Sequence, residues 1–187
     1  MNDKLYKLYQ RLGAILVFVW SFVVYKLTAQ ISVPFWDCGE FIATSYTLGV
    51  PHPPGAPLLN LIGRVVCLIP MPGVSIAYRL NIMAGFFGAA ALAVLFLIVY
   101  RVILYWFNKE DPLRYIIAFA AGISGALLAG FGSTYWSNCV EMEVYGVVMF
   151  IINLAVYIAL IWYERRHDPD SDRLPVFIGF LLYLGVG

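Results

Sequence analysis

The sequence predicts an all-α integral membrane protein, a bundle of about four complete transmembrane helices with a fifth begun. Three observations carry that prediction. Apolar residues make up 62% of the 187 and charged residues 12%, against roughly 45–50% and about 25% in soluble domains; mean hydropathy is +0.82. The apolar residues gather into runs near the ~20 residues that cross a bilayer as a helix. Between the first two runs, Ile31 to Leu58 is polar, acidic and proline-rich, so it belongs at a membrane surface. The chain 1–187 reads as a single transmembrane domain, with 32–80 as an extracytoplasmic loop that carries interfacial helices.

The elements follow in order. Met1 to Arg11 is short and basic, and Leu12 to Ile31 is the first span. Its apolar part is longer than the roughly 7–15 residues of a signal peptide core, which favours a retained anchor. Phe35 to Leu48 reads as a short amphipathic helix, because Asp37, Glu40, Thr44 and Thr47 recur at three- and four-residue steps and share a face. Val50 to Pro57 is no helix: Pro51, Pro53, Pro54 and Pro57 remove backbone donors and extend the residues before them, leaving a stiff strap around His52. Leu58 to Ile69 is too short to span. Its Asn60, Arg64 and Cys67 stripe opposes Leu58, Leu61, Ile62, Val65 and Leu68, the pattern of a helix lying in the interface. Asn81 to Trp106, Tyr115 to Tyr135 and Val144 to Tyr163 are the second, third and fourth spans. Small residues along the third (Ala118, Gly122, Gly125, Ala126, Ala129) suit close helix packing in lipid. Glu164 to Arg173 is a hydrophilic loop, and Leu174 to Gly187 begins a fifth span, so the chain reads as the N-terminal part of a longer protein.

Charge fixes an expected orientation. With the N-terminus cytoplasmic, Lys4, Lys7, Arg11, Arg101, Lys109, Arg114, Arg165, Arg166 and Arg173 lie inside, and only Lys26, Arg64 and Arg79 lie outside. Cytoplasmic loops carry such an excess. The loop with Asp37, Glu40 and His52 is then extracytoplasmic, as is the junction STYWSNCVEMEVYG with Glu141 and Glu143. Two acidic segments distant in sequence share one membrane face, and acids at that level mark functional sites by default. The net charge of +1 excludes a nucleic-acid partner, since no basic patch matches a phosphate backbone. Cys38, Cys67 and Cys139 lack metal-ligand spacing, are odd in number, and read as small fillers.

Each polar residue admits a structural and a chemical role. Asp37 and Glu40 have the spacing of a capping box, yet a carboxylate held there is also a general base. The pair could hold a divalent cation through oxygen ligands, though two acids are a weak signal and no metal ligand is assigned. Glu141 and Glu143 are two apart, so on a helix at most one faces the cavity of Asp37; Asn138 or Tyr145 accompanies Glu141. His52 serves as a hydrogen-bonded structural residue or a catalytic one. Arg64 either snorkels to the interface or binds a lipid phosphate.

The stretch FWDCGEFIATSYTLGVPHPPGAPL, the Tyr78-Arg79-Leu80-Asn81 start of the second span and the STYWSNCVEMEVYG segment together resemble a family of multi-pass protein O-mannosyltransferase-like membrane proteins. That family is similar to the GT-C superfamily of glycosyltransferases that use polyprenyl-phosphate sugars. The resemblance implies a GT-C-like helical bundle and an inverting transfer of a sugar, mannose by analogy, from a polyprenyl-phosphate donor to a Ser or Thr hydroxyl of a translocated protein. It implies catalytic roles for Asp37, Glu40 beside it and Glu143, and substrate contacts for His52, Arg64, Arg79, Glu141 and Tyr145. A multi-pass location follows, in a bacterial inner membrane or, in a eukaryote, the endoplasmic reticulum, with membrane lipids as neighbours. A transporter or lipid flippase is the competing expectation, and a non-catalytic scaffold the third. Transporters place acids at mid-bilayer, whereas here the spans are nearly free of them.

Overall fold

The computed structural model describes residues 3–53, 55–107, 111, 113–168, 171 and 173–186; Pro54 of the strap and Lys109 of the basic set lie outside them. The described residues form eight helices and no strand. They are α1 (Asp3–Thr28), α2 (Cys38–Thr47), α3 (Pro57–Leu68), α4 (Ile76–Trp106), α5 (Arg114–Gly130), α6 (Ser133–Cys139), α7 (Tyr145–Arg165) and α8 (Arg173–Val186). Helices α1, α4 and α7 are long and apolar enough to cross a membrane, and α5 with α6 makes a fourth if the bent pair counts as one span. This is the multi-pass, all-helical protein that the composition predicts.

Helix α4 is the axis of the bundle, packing against α1, α5 and α7. Its 31 residues reach about 46 Å at 1.5 Å each, well beyond a hydrocarbon core of about 30 Å. It starts five residues before the expected Asn81, because Ser75 caps it by accepting the Tyr78 amide at 3.2 Å. Two apolar cores flank it. One gathers Phe41, Leu59, Leu80, Met142 and Ile151. The other gathers Val17, Tyr25, Phe96, Tyr100 and Tyr115.

The expected continuous third span, Tyr115 to Tyr135, is corrected by the structure. Helix α5 ends at Gly130, and α6 leaves at 72° to it. Hydropathy runs unbroken through this point, but Gly132 is extended and serves as the N-cap of α6. Helix α5 alone covers about 26 Å, so α6 lies across the bundle end and delivers Val140 to the loop beyond α1, where Gln30 donates its amide to the Val140 carbonyl at 3.0 Å.

The loop from 29 to 75 is closed at its neck by the first turns of α4. Buried Asn81 donates to the carbonyls of Gln30 at 2.7 Å and Ser32 at 3.2 Å. Arg79 donates to the carbonyls of Ile69, Met71 and Val74 at 2.6–3.0 Å. Tyr78 reaches the Lys26 carbonyl, and Leu80 is fully buried. Inside the loop, α2 packs on α3. Buried Asn60 accepts from Thr44 and Ser45 and donates to the Gly49 carbonyl. Leu61, Val65 and Leu68 of α3 stay exposed, the apolar face that an interfacial helix turns to lipid.

Candidate functional site

Backbone geometry aims Asp37. Trp36 adopts φ 64°, a left-handed conformation that costs a non-glycine residue about 1–2 kcal/mol. The chain then turns into α2 with Asp37 at the N-cap. Asp37 makes no side-chain cap hydrogen bond, so the expected capping box does not form. Glu40 is drawn elsewhere. Its carboxylate accepts the backbone amide of His52 at 2.8 Å and contacts the His52 ring Nδ1 at 2.7 Å. The proline strap presents both groups of His52 to one acid, and that two-point grip displaces the reciprocal cap. His52 Nε2 lies 3.9 Å from Asp37 Oδ2, so the imidazole stands between two carboxylates.

The second acidic segment joins through Cys38. Its buried thiol lies 3.2 Å from Glu143 Oε1 and 3.5 Å from Glu141 Oε2, and its single proton serves one of them at a time. The expectation that only one of these acids faces inward fails, because residues 140–144 are not helical. Glu143 donates its amide to the Glu141 carbonyl at 2.9 Å, a tight turn that brings both side chains to one side. Cys38, read from the sequence as filler, is therefore the link between the two segments. Its place beside Asp37 was the one available signal.

Electrostatics separates the acids. The hydrogen bonds from the His52 ring and amide hold the Glu40 carboxyl below its ordinary value. The same bond, helped by the charges of Glu40, Asp37 and Glu143, raises His52. Burial pushes Glu143 up against the opposing Cys38 and Val144 hydrogen bonds, with the charges of Asp37 and Glu141 adding to the rise. Burial first, then Glu143, raises the Cys38 thiol, which stays protonated and donating. Raised His52 makes the pair fully stabilising below the ordinary 6.5 and weaker as pH climbs through the raised value. Lowered Glu40 makes it fully stabilising above the ordinary 4.5 and weaker as pH falls through the lowered value. The pair is therefore complete between those limits. In Glu40→Gln, the His52 titration followed by NMR is expected to move down toward its ordinary midpoint; an unmoved midpoint would show that Glu40 does not set it.

The remaining candidates are spread around this centre. Half-buried Arg64 donates to the Tyr46 carbonyl and lies 5.9 Å over the Tyr46 ring. Arg79 spends its guanidinium on the loop neck. Tyr145 is exposed at the start of α7. An apolar cleft of about 150 Å³ begins at Val144, next to Glu143, and runs between the strap at Ala56, Leu59 of α3, Ile151 of α7 and Leu184 of α8.

Residues 37–187 match the family profile of the protein O-mannosyl-transferase TMEM260 N-terminal domain. The chain belongs to this family. The TMEM260 N-terminal domain family thus covers the whole site, from Asp37 through Glu143. Protein O-mannosyl-transferase TMEM260 of Mus musculus is 31% identical over 168 residues, covering 90% of this chain and 22% of the mouse protein. The Dictyostelium discoideum protein of the same name is 26% identical over 160 residues, 85% of this chain and 18% of its own. The chain thus spans about a fifth of the length of these TMEM260 relatives. No solved structure matches it.

Proposed function

We propose that this chain forms the catalytic face of an inverting, GT-C-type protein O-mannosyltransferase that draws its sugar from a polyprenyl phosphate. The observation that carries the reading is the junction of the acidic centre with the apolar cleft. Val144 lines the cleft and is bonded in sequence to Glu143, so an isoprenoid chain lying along α7 brings its phosphate to the acids. The family relationship supports protein O-mannosyl transfer. The bias of nine cations against three supports a cytoplasmic N-terminus and an extracytoplasmic site.

In this mechanism Asp37 takes the proton of a Ser or Thr hydroxyl on the acceptor protein. The hydroxyl oxygen attacks the anomeric carbon of the sugar from the face opposite the phosphate. The bond from that carbon to the phosphate oxygen breaks, and the polyprenyl phosphate leaves with the electron pair. His52, held by Glu40, keeps the Asp37 carboxylate oriented. Half-buried Arg64, which would exchange the Tyr46 carbonyl for the departing phosphate, is the candidate cation, whereas the guanidinium of Arg79 is taken up by three carbonyls. Asp37, Glu40 and His52 also bring three ligand atoms within 4.8 Å of one another. Two oxygens and one imidazole nitrogen fit a divalent cation, which would supply charge stabilisation to the phosphate.

The test is transfer by the full chain in liposomes that contain a radiolabelled polyprenyl-phosphate mannose, with a Ser/Thr peptide added. Label is expected on the peptide with inverted anomeric configuration, and none from a nucleotide sugar. Transfer from the nucleotide sugar, or no transfer from the lipid donor, would overturn the reading.

A further inference from the structure

We propose that the opposite end of the bundle holds a second site, one that binds the phosphate of an anionic membrane lipid between Arg101 and Arg114. A cavity of about 620 Å³ opens there between Tyr6 of α1, Arg101 of α4, Arg114 and Tyr115 of α5, and Glu164 of α7. It shares no residue with the Asp37 centre and is independent of the transfer chemistry.

Arg114 is the stronger half of the argument. It is 4% exposed, and it is the first residue of α5, where the positive end of the helix dipole disfavours a cation. Its Nη2 donates to the Tyr115 hydroxyl at 2.7 Å, but its buried Nε has no hydrogen-bond partner among the described residues. The neighbouring Asp111 carboxylate is engaged with the Leu113 amide at 2.8 Å. Arg101 is the second half. Its Nη2 donates to the Tyr6 hydroxyl at 3.1 Å, and its Nε lies 3.2 Å from Glu164 Oε1. Its buried Nη1 has no hydrogen-bond partner among the described residues. Arg101 and Arg114 thus line one cavity together with Glu164, and among the described residues each keeps a buried N–H donor without a partner. Buried donors without partners are costly, and a phosphate satisfies both guanidiniums with the geometry they are built for.

A second cleft decides the source of that phosphate. About 200 Å³ in size, it shares Arg101, Tyr105 and Glu164 with the first and continues along Val102, Trp106 and Leu160. Trp106 is 83% exposed, at the level where aromatic side chains meet lipid headgroups. An acyl chain lying between α4 and α7 beside a headgroup cavity fits a phospholipid better than free phosphate.

The experiment titrates the purified, delipidated full chain in neutral detergent with phosphatidylglycerol, phosphatidylcholine or inorganic phosphate, reading melting temperature and lipid retention by native mass spectrometry. Phosphatidylglycerol is expected to raise the melting temperature and to stay bound, with phosphatidylcholine and phosphate without effect at the same concentration. Arg114→Gln and Arg101→Gln should each weaken phosphatidylglycerol binding about tenfold. Leu104→Trp, which fills the cavity without changing charge, should do the same. Asp37→Asn should bind as the wild type does. Equal retention of the two lipids by the wild type would overturn the proposal even if the arginine variants fail to fold. Equal binding by a folded Arg114→Gln would also overturn it. Protection by inorganic phosphate alone would overturn the lipid source.

Discussion

Asp37→Asn is expected to lower sugar transfer by a factor of about 10²–10⁴, the usual worth of a general base, without lowering the amount of folded protein. The structure gives Asp37 no supporting duty. It makes no cap hydrogen bond at the start of α2, its side chain is 56% exposed, and its ion-pair contact with His52 is a long one at 3.9 Å. Asn keeps the shape and removes the base. Glu143→Gln is the informative contrast, because Glu143 is part-buried and holds the Cys38 thiol; that change should disturb stability as well as rate. The measurement is peptide labelling by each variant at matched protein level in the same membrane. Retained transfer in Asp37→Asn would remove Asp37 as the base, and a parallel loss of protein would return it to a structural role.

The second large effect is one of packing. Gly146→Ala should destabilise the bundle by about 1–3 kcal/mol, the range for forcing atoms into a filled site, and Gly146→Val by more. A Cβ at Gly146 would sit 2.8 Å from the Ala84 carbonyl oxygen and 3.3 Å from the Gly88 amide nitrogen. Both are backbone atoms of α4, which no rotamer change can move. Helix α7 would have to leave α4, and Glu143 lies in the turn that leads into α7. Gly179→Ala is the control, since nothing lies within 4 Å of its added carbon. Thermal unfolding in detergent should lower the midpoint for Gly146→Ala and leave Gly179→Ala near the wild type; equal midpoints would show that the contact relaxes freely.

The membrane class and most helices were legible because lipid demands long apolar runs, and runs are a local property. The shared face of Asp37 and Glu40 was also legible from their three-residue spacing, as was the proline strap around His52. What was hidden depends on distant or backbone-level facts. The break at Gly130–Gly132 is invisible to hydropathy because Phe131 keeps the run apolar. The thiol of Cys38 finds Glu141 and Glu143 more than a hundred residues away, and no local pattern records such a pairing. Their shared direction depends on a turn where a helical reading spaces them apart. The capping-box spacing at Asp37 and Glu40 is genuine, but the His52 amide and ring compete for the same carboxylate and win it.

The neck built by Asn81, Arg79 and Tyr78 also bears on how the site's positional entropy is lost. A loop of this length has many ways to place its ends, and closing it costs free energy that grows only with the logarithm of its length. One turn of a transmembrane helix closes it in advance, by five hydrogen bonds from Arg79 and Asn81 to carbonyls of residues 30, 32, 69, 71 and 74, joined by a sixth that gives Arg79 a second contact to residue 74. On the proposed function, the effective molarity of the reacting groups would thereby be governed at α4. Loosening that turn would lower the rate for every acceptor alike, with the carboxylates and the imidazole still present.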